Sequence, residues 1–113
     1  MLDLSIAKED KVSIVYLSGE LNALTAGQVS KLLVDLVNEG SYQIILELSE
    51  LTYITSNGLR PLLEWLEVTK SVSGNRRLAV CSMPEFVKTV FEITGFAHKF
   101  PTFDSTESAL NTF

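Results

Sequence analysis

The sequence predicts an α/β fold, a mixed and mostly parallel sheet of four to five strands with about four helices packed on it. Three observations carry this. Runs of β-branched and aliphatic residues, around Val12–Leu17, Ile44–Leu46 and Leu78–Val80, alternate with stretches whose apolar residues recur at helical spacing. Strands separated by helices need crossover connections, which make neighbouring strands parallel. Two extended segments at the N-terminus are joined only by a short polar turn, which adds an antiparallel edge.

Taken in order, Leu2, Leu4 and Ile6 alternate with Asp3 and Ser5, the pattern of a half-buried strand. Lys8 to Lys11 form a polar turn, and Val12, Ile14 and Tyr16 with Val15 and Leu17 form a denser second strand. Gly19 is read as its end and Glu20, Leu21 and Asn22 as a loop. Thr25 and Gln28 have capping-box spacing, and Ala26, Val29, Leu32, Leu33, Leu36 and Val37 make an apolar helical stripe up to Gly40, a C′ residue. Ser30, Lys31, Asp35 and Asn38 occupy the opposite face, so this helix lies on the sheet surface. Tyr42 to Leu48 is the third strand, and its continuous apolar run places it centrally, with both faces covered.

A second helix follows the turn at Ser56, with Leu59, Leu62, Leu63 and Leu66 on one face. It is expected to run to about Val72, where Ser73, Gly74 and Asn75 break it. Pro61 is awkward just past a first turn, where it removes a backbone bond. Arg77 to Ser82 is a fourth strand. Ser82 and Glu85 again have capping-box spacing, Pro84 suits a first turn, and Phe86, Val87, Val90, Phe91 and Ile93 form a third helix ending at Gly95. A short strand near Lys99 to Phe103 follows, and Asp104 with Glu107 opens a last helix carrying Ala109 and Leu110.

Composition narrows the function. At 113 residues the chain has the length of one domain, 1–113, with one core. A hydrophobic fraction of 46% fills that core, and a charged fraction of 20% excludes a disordered tail. The formal net charge of -5 excludes a nucleic-acid binder, whose affinity rests on clustered Lys and Arg, and favours partners with neutral or basic surface. The one cysteine, Cys81, has no internal disulfide partner, which fits a reducing compartment. The first residues lack the apolar core of a signal peptide and no run approaches transmembrane length, so a cytoplasmic protein without membrane insertion is expected.

The stretch Leu48 to Arg60 holds the candidate site. Thr55, Ser56, Asn57 and Gly58 are small polar residues between an apolar strand and an amphipathic helix. A hydroxyl there faces amides without intrahelical partners and the positive end of the helix dipole, a favourable place to carry a phosphate. The ordinary alternative is that Ser56 is an N-cap, a role Thr55 or Asn57 also suits.

Leu48-Ser-Glu-Leu-Thr-Tyr-Ile-Thr-Ser-Asn-Gly-Leu resembles the signature of the anti-sigma factor antagonists, which are STAS domains. Leu17 to Ala26 resembles the family's Gly-Glu-Leu-Asp loop, and Val90 to Phe96 its hydrophobic-acidic-hydrophobic-Ser/Thr-Gly ending. The resemblance spans nearly the whole chain and implies a single STAS-type domain with the order of elements given above. It implies further that Ser56 is phosphorylated by a partner, an anti-sigma factor with a histidine-kinase-like ATPase fold acting as serine kinase. Unphosphorylated protein binds that kinase and frees sigma, the phosphoprotein lets go, and a serine phosphatase resets it. Asn22, Thr25, Thr55, Ser56, Asn57, Gly58, Arg60 and Pro61 are the implied partner-binding residues. The chain departs from the family at Thr55, often acidic, at Asn57, usually Ser, Thr or Ala, and at Asn22, usually Asp.

Other residues have readings of their own. Trp65, placed opposite Leu62 and Leu66, either packs beneath a loop or anchors a partner. Arg60 contacts a partner or phosphate, or is a solvated surface residue. Cys81 is read as a small core residue, and His98, with no second ligand type nearby, is not a metal ligand. Glu20, Glu47 and Glu50 are a polar rim, or as a group the acidic edge of a partner surface. No glycine-rich phosphate loop and no metal-ligand cluster occurs, so neither cofactor nor metal is expected. A serine hydrolase is the weakest reading: Gly58 follows Ser56 but no glycine precedes it, and His98 would be the only base. The chain is therefore not expected to be an enzyme. The alternative to the switch is a non-switching STAS subunit of a transporter ATPase, a stressosome-like scaffold or a small-ligand sensor.

Overall fold

The computed structural model describes residues 1–41, 43–68 and 77–113, and the side chains of 66–68 are outside that description. Among the described residues five strands form one sheet in the order β1-β2-β3-β4-β5: β1 Leu2–Glu9, β2 Val12–Leu21, β3 Gln43–Ile54, β4 Arg77–Cys81 and β5 Thr102–Phe103. The β1–β2 hairpin is antiparallel and the β2–β3, β3–β4 and β4–β5 pairings are parallel. The α-helices of the described residues are α1 Ala26–Asn38, α2 Arg60–Val68, α3 Glu85–Thr94 and α4 Thr106–Leu110. Spatial order follows chain order, so the three crossovers step the same way and, with one handedness of connection, place their helices on one face.

The core follows from that arrangement. Val29, Leu33 and Leu36 of α1, Leu59, Leu62 and Trp65 at and after the β3–α2 turn, and Val87 and Phe91 of α3 bury against Val15, Leu17, Ile44, Leu46, Leu48 and Val80. The other face is covered only in part. There Ala109 of α4 closes over Val12, Ile14, Ile45, Ala79 and Cys81, with Phe103, Leu110 and Phe113 at the margin. Ile44, Ile45 and Leu46 are fully buried, as expected for a central strand. Arg77 pins the C-terminal segment: its guanidinium donates to the Thr112 carbonyl and lies 4.7 Å from the centre of the Phe113 ring.

Several boundaries differ from the sequence reading. Strand β2 does not stop at Gly19. It continues to Leu21 through two irregularities in its pairing with β3, between Tyr16 and Ser18 and between Gly19 and Glu20, with Gly19 at φ 110, a conformation that suits a residue without a Cβ. Strand β3 does not stop at Leu48. It runs on to Ile54, paired with β2 alone, because Leu51 and Ile54 still face the core while Ser49, Glu50, Thr52 and Tyr53 face outward.

Neither capping box forms. Thr25 takes helical backbone angles and makes no side-chain cap, and Gln28 donates instead to the Leu2 carbonyl at 3.0 Å. Ser82 has φ 59, which turns the chain so that Pro84, not Ser82, precedes α3. Ser105 rather than Asp104 caps α4, accepting from the Ser108 amide. The predicted helix ends are present at both glycines: Gly40 and Ser41 donate to Val37 and Leu36 in a Schellman arrangement, and Gly95 is left-handed after α3. The predicted start of the third strand at Tyr42, the end of the second helix near Val72 and its break at Ser73, Gly74 and Asn75 lie outside the described residues, as does the side chain of Leu66.

Candidate functional site

Two loops meet at the C-terminal ends of β2 and β3, and the parallel ladder between those strands holds them side by side. The ladder's last pair is Leu21 with Ile54. One residue on, the Thr55 amide donates to the Leu21 carbonyl at 3.0 Å. A single 3₁₀ turn, Ser56–Leu59, then leads into α2. Gly58 lies against the same Leu21 carbonyl. A Cβ there would sit 2.6 Å from that oxygen and 2.9 Å from the Asn22 nitrogen, so only glycine allows the loops this close approach.

The β2–α1 loop is tied by its own side chains. Asn22 Oδ1 accepts from the Leu24 amide at 2.9 Å and the Thr25 amide at 3.1 Å, while the Asn22 amide donates to Thr25 Oγ1 at 3.0 Å. The Thr25 hydroxyl in turn donates to the Glu20 carbonyl at 2.8 Å. Asn22 thus serves as the anchor of the helix start that the sequence reading assigned to Thr25. A neutral amide oxygen makes both bonds, so replacing the family's usual aspartate costs this loop no hydrogen bond.

In the second loop the capping role falls to Thr55. Its backbone is extended, and its carbonyl and hydroxyl oxygens accept from the Gly58 amide at 3.0 and 3.3 Å. Ser56 begins the 3₁₀ turn as an exposed residue. The side-chain cap of the turn comes from Thr55 and not from Ser56.

The eight residues singled out from the sequence therefore come together, in different environments. Ser56, Asn57 and Arg60 are exposed; Asn22 and Thr55 are half-buried; Thr25, Gly58 and Pro61 are buried. Ala26, Ser30, Asn57, Arg60, Pro61 and Glu64 line a shallow depression between α1 and the turn. Ser30 and Glu64, which carry no motif, reach this depression only by helical phase and were not singled out from the sequence. Neither was Leu24, which is 94% exposed on the tied loop.

Trp65 is buried and belongs to the core, which removes the reading of an exposed anchor. Cys81 is buried, as expected, and burial raises its thiol pKa above the ordinary 9.0, opposed by hydrogen bonds to Thr106 and Ser82. Among the described residues no group of three or more His, Cys, Asp or Glu is placed to hold a metal, and no helix is long and apolar enough to cross a membrane.

A family model for the STAS domain matches residues 3–109. This chain belongs to the STAS domain family. Within it, BtrV of Bordetella bronchiseptica, named as an anti-sigma factor antagonist, is 35% identical over 112 residues, covering 99% of this chain and 95% of that protein. The same STAS fold is seen in an anti-sigma factor antagonist from Mycobacterium paratuberculosis, with TM-score 0.87 and 21% identity over 99% of this chain and 93% of that one. The phosphorylated form of the Bacillus cell fate determinant SpoIIAA superposes with TM-score 0.71 and 18% identity, covering 99% and 98% of the two chains. This STAS domain keeps the family's mixed α/β architecture from its first strand to its last helix.

Proposed function

We propose that this STAS domain is an anti-sigma factor antagonist that switches partners through phosphorylation of Ser56. The observation that carries the reading is the division of labour in the turn: Thr55 caps it, and Ser56 is an exposed residue at its start that takes no part in the cap. The likeness to BtrV supports the same reading.

In this reading the unmodified surface around Ser56, with Asn22, Thr25, Thr55, Asn57, Gly58, Arg60 and Pro61 shaping or presenting it, binds an anti-sigma factor of histidine-kinase-like ATPase fold in the cytoplasm. That partner transfers the γ-phosphoryl group of ATP to Ser56 Oγ; the new O–P bond replaces the β–γ phosphoanhydride bond, ADP leaves, and the hydroxyl proton is released. The new group adds nearly two negative charges and several acceptor oxygens at a surface that must be desolvated to bind, so the complex separates. A serine phosphatase removes the group. The chain itself acts as substrate and ligand, not as catalyst.

The test is a pair of variants offered to a purified cognate anti-sigma factor of histidine-kinase-like fold, with ATP. Ser56→Ala is expected to bind as the unmodified protein does and to take no phosphate. Ser56→Asp is expected to bind at least about tenfold more weakly, the factor that about 1.4 kcal/mol represents. Equal affinity of the two variants, or phosphate transfer to another residue, would overturn the reading.

A further inference from the structure

The residue after Ser56 has chemistry of its own. Asn57 is exposed and is followed by a glycine, the neighbour that hinders its side chain least. In an Asn-Gly pair the backbone nitrogen of the glycine attacks the asparagine side-chain carbonyl carbon. A nitrogen–carbon bond forms, ammonia leaves, and a cyclic imide remains. Water then opens the ring at either carbonyl, giving aspartate or isoaspartate. The reaction needs no enzyme, oxidant or cofactor, only a deprotonated glycine amide and a backbone free to bring that nitrogen to the side chain.

Both requirements are opposed by named contacts. The nitrogen that must attack is the Gly58 amide, the group that Thr55 caps with its carbonyl at 3.0 Å and its hydroxyl at 3.3 Å. A proton held between two acceptors is harder to remove. Gly58 is also wedged against the Leu21 carbonyl, and Asn57 sits inside the 3₁₀ turn, so the pair cannot pivot while the turn stands.

We propose that Asn57 is a latent deamidation site, held as the amide by the Thr55-capped turn and converted whenever that turn opens. Conversion places a permanent carboxylate beside the Ser56 hydroxyl, and the isoaspartate product also lengthens the backbone of the turn by one carbon. The chemistry does not depend on which protein binds the surface.

The experiment is incubation of the whole chain at mildly alkaline pH, with peptide mapping that separates asparagine, aspartate and isoaspartate at position 57. Folded protein is compared with the same chain in denaturant, and with Thr55→Ala and Thr55→Ser. Folded wild type is expected to convert far more slowly than the denatured chain. Thr55→Ala should convert about fivefold faster than wild type, the factor a typical cap side chain contributes, and Thr55→Ser, which restores the hydroxyl, should return close to the wild-type rate. Conversion of folded wild type as fast as the denatured chain would overturn the proposal. So would a Thr55→Ala rate equal to wild type in protein shown by circular dichroism to be folded.

Discussion

Gly58 fixes the geometry of the site more firmly than any side chain that a partner could touch. Because an added methyl group would meet the Leu21 carbonyl at 2.6 Å, Gly58→Ala must push apart two backbones, not a flexible side chain. Overpacking of this kind costs about 1–3 kcal/mol, and here the strain falls on the loop pair itself. Thermal unfolding of Gly58→Ala should show a lower midpoint, and partner affinity should fall further than stability alone explains. An unchanged midpoint would mean that the loops separate freely. Asn22 teaches the complementary lesson. Its amide oxygen holds two backbone amides, a task that needs an acceptor oxygen and no charge.

At the scale of elements, α4 is the piece whose loss is easiest to observe. Its five residues and the following turn cover Cys81, and Arg77 clamps the segment from the strand side. The buried thiol is expected to react slowly with alkylating reagents in native protein, and Arg77→Ala should speed labelling by loosening the clamp. Equal rates in both proteins would show that Arg77 does not hold α4 down. The same burial sets a pH dependence. Since the folded pKa of Cys81 lies above the ordinary 9.0, the folded state keeps its proton where the unfolded chain gives it up. The resulting stability is complete below the unfolded value and declines as pH rises through it towards the folded value. Urea unfolding across that range should show the decline in wild type and a flatter profile in Cys81→Ala. Helix phase also explains one misreading. Leu62 and Trp65 both lie in α2, where residues three apart are neighbours on one side, so Trp65 follows Leu59 and Leu62 into the core. The sequence reading, with Leu59, Leu62, Leu63 and Leu66 as the stripe, had set Trp65 on the opposite face.

For the molecule as a whole, the exposed position of Ser56 predicts that charge added there alters the surface and leaves the architecture alone. Amide NMR spectra of phosphorylated protein should differ from the unmodified form at the two joined loops, about residues 21–26 and 54–60, and coincide across α3, β5 and α4. Shifts throughout α3 and α4 would point to a transmitted change of shape. The general plan was legible beforehand because strand and helix periods alternate cleanly and Ile44, Ile45 and Leu46 mark the centre. The candidate segment was legible as two facing loops of small polar residues, yet the contacts inside it were not. A hydroxyl's spacing cannot say which acceptor or donor it meets: Thr25 turned to Glu20, Thr55 took the cap, and Ser82 adopted a left-handed backbone. The extension of β3 to Ile54 was hidden for a related reason, since strand pairing on one side only leaves half its residues polar.

Both loops hang from one ladder, and their separation is set by main-chain groups: the Leu21 carbonyl, the Thr55 amide and the bare Gly58 backbone. Exposed positions on that frame, such as Ala23, Leu24 and Arg60, are consequently free to vary without disturbing it. A cell holding several paralogues could insulate their signalling circuits through those few side chains, and exchanging them between two paralogues would be the shortest route to rewiring cross-talk.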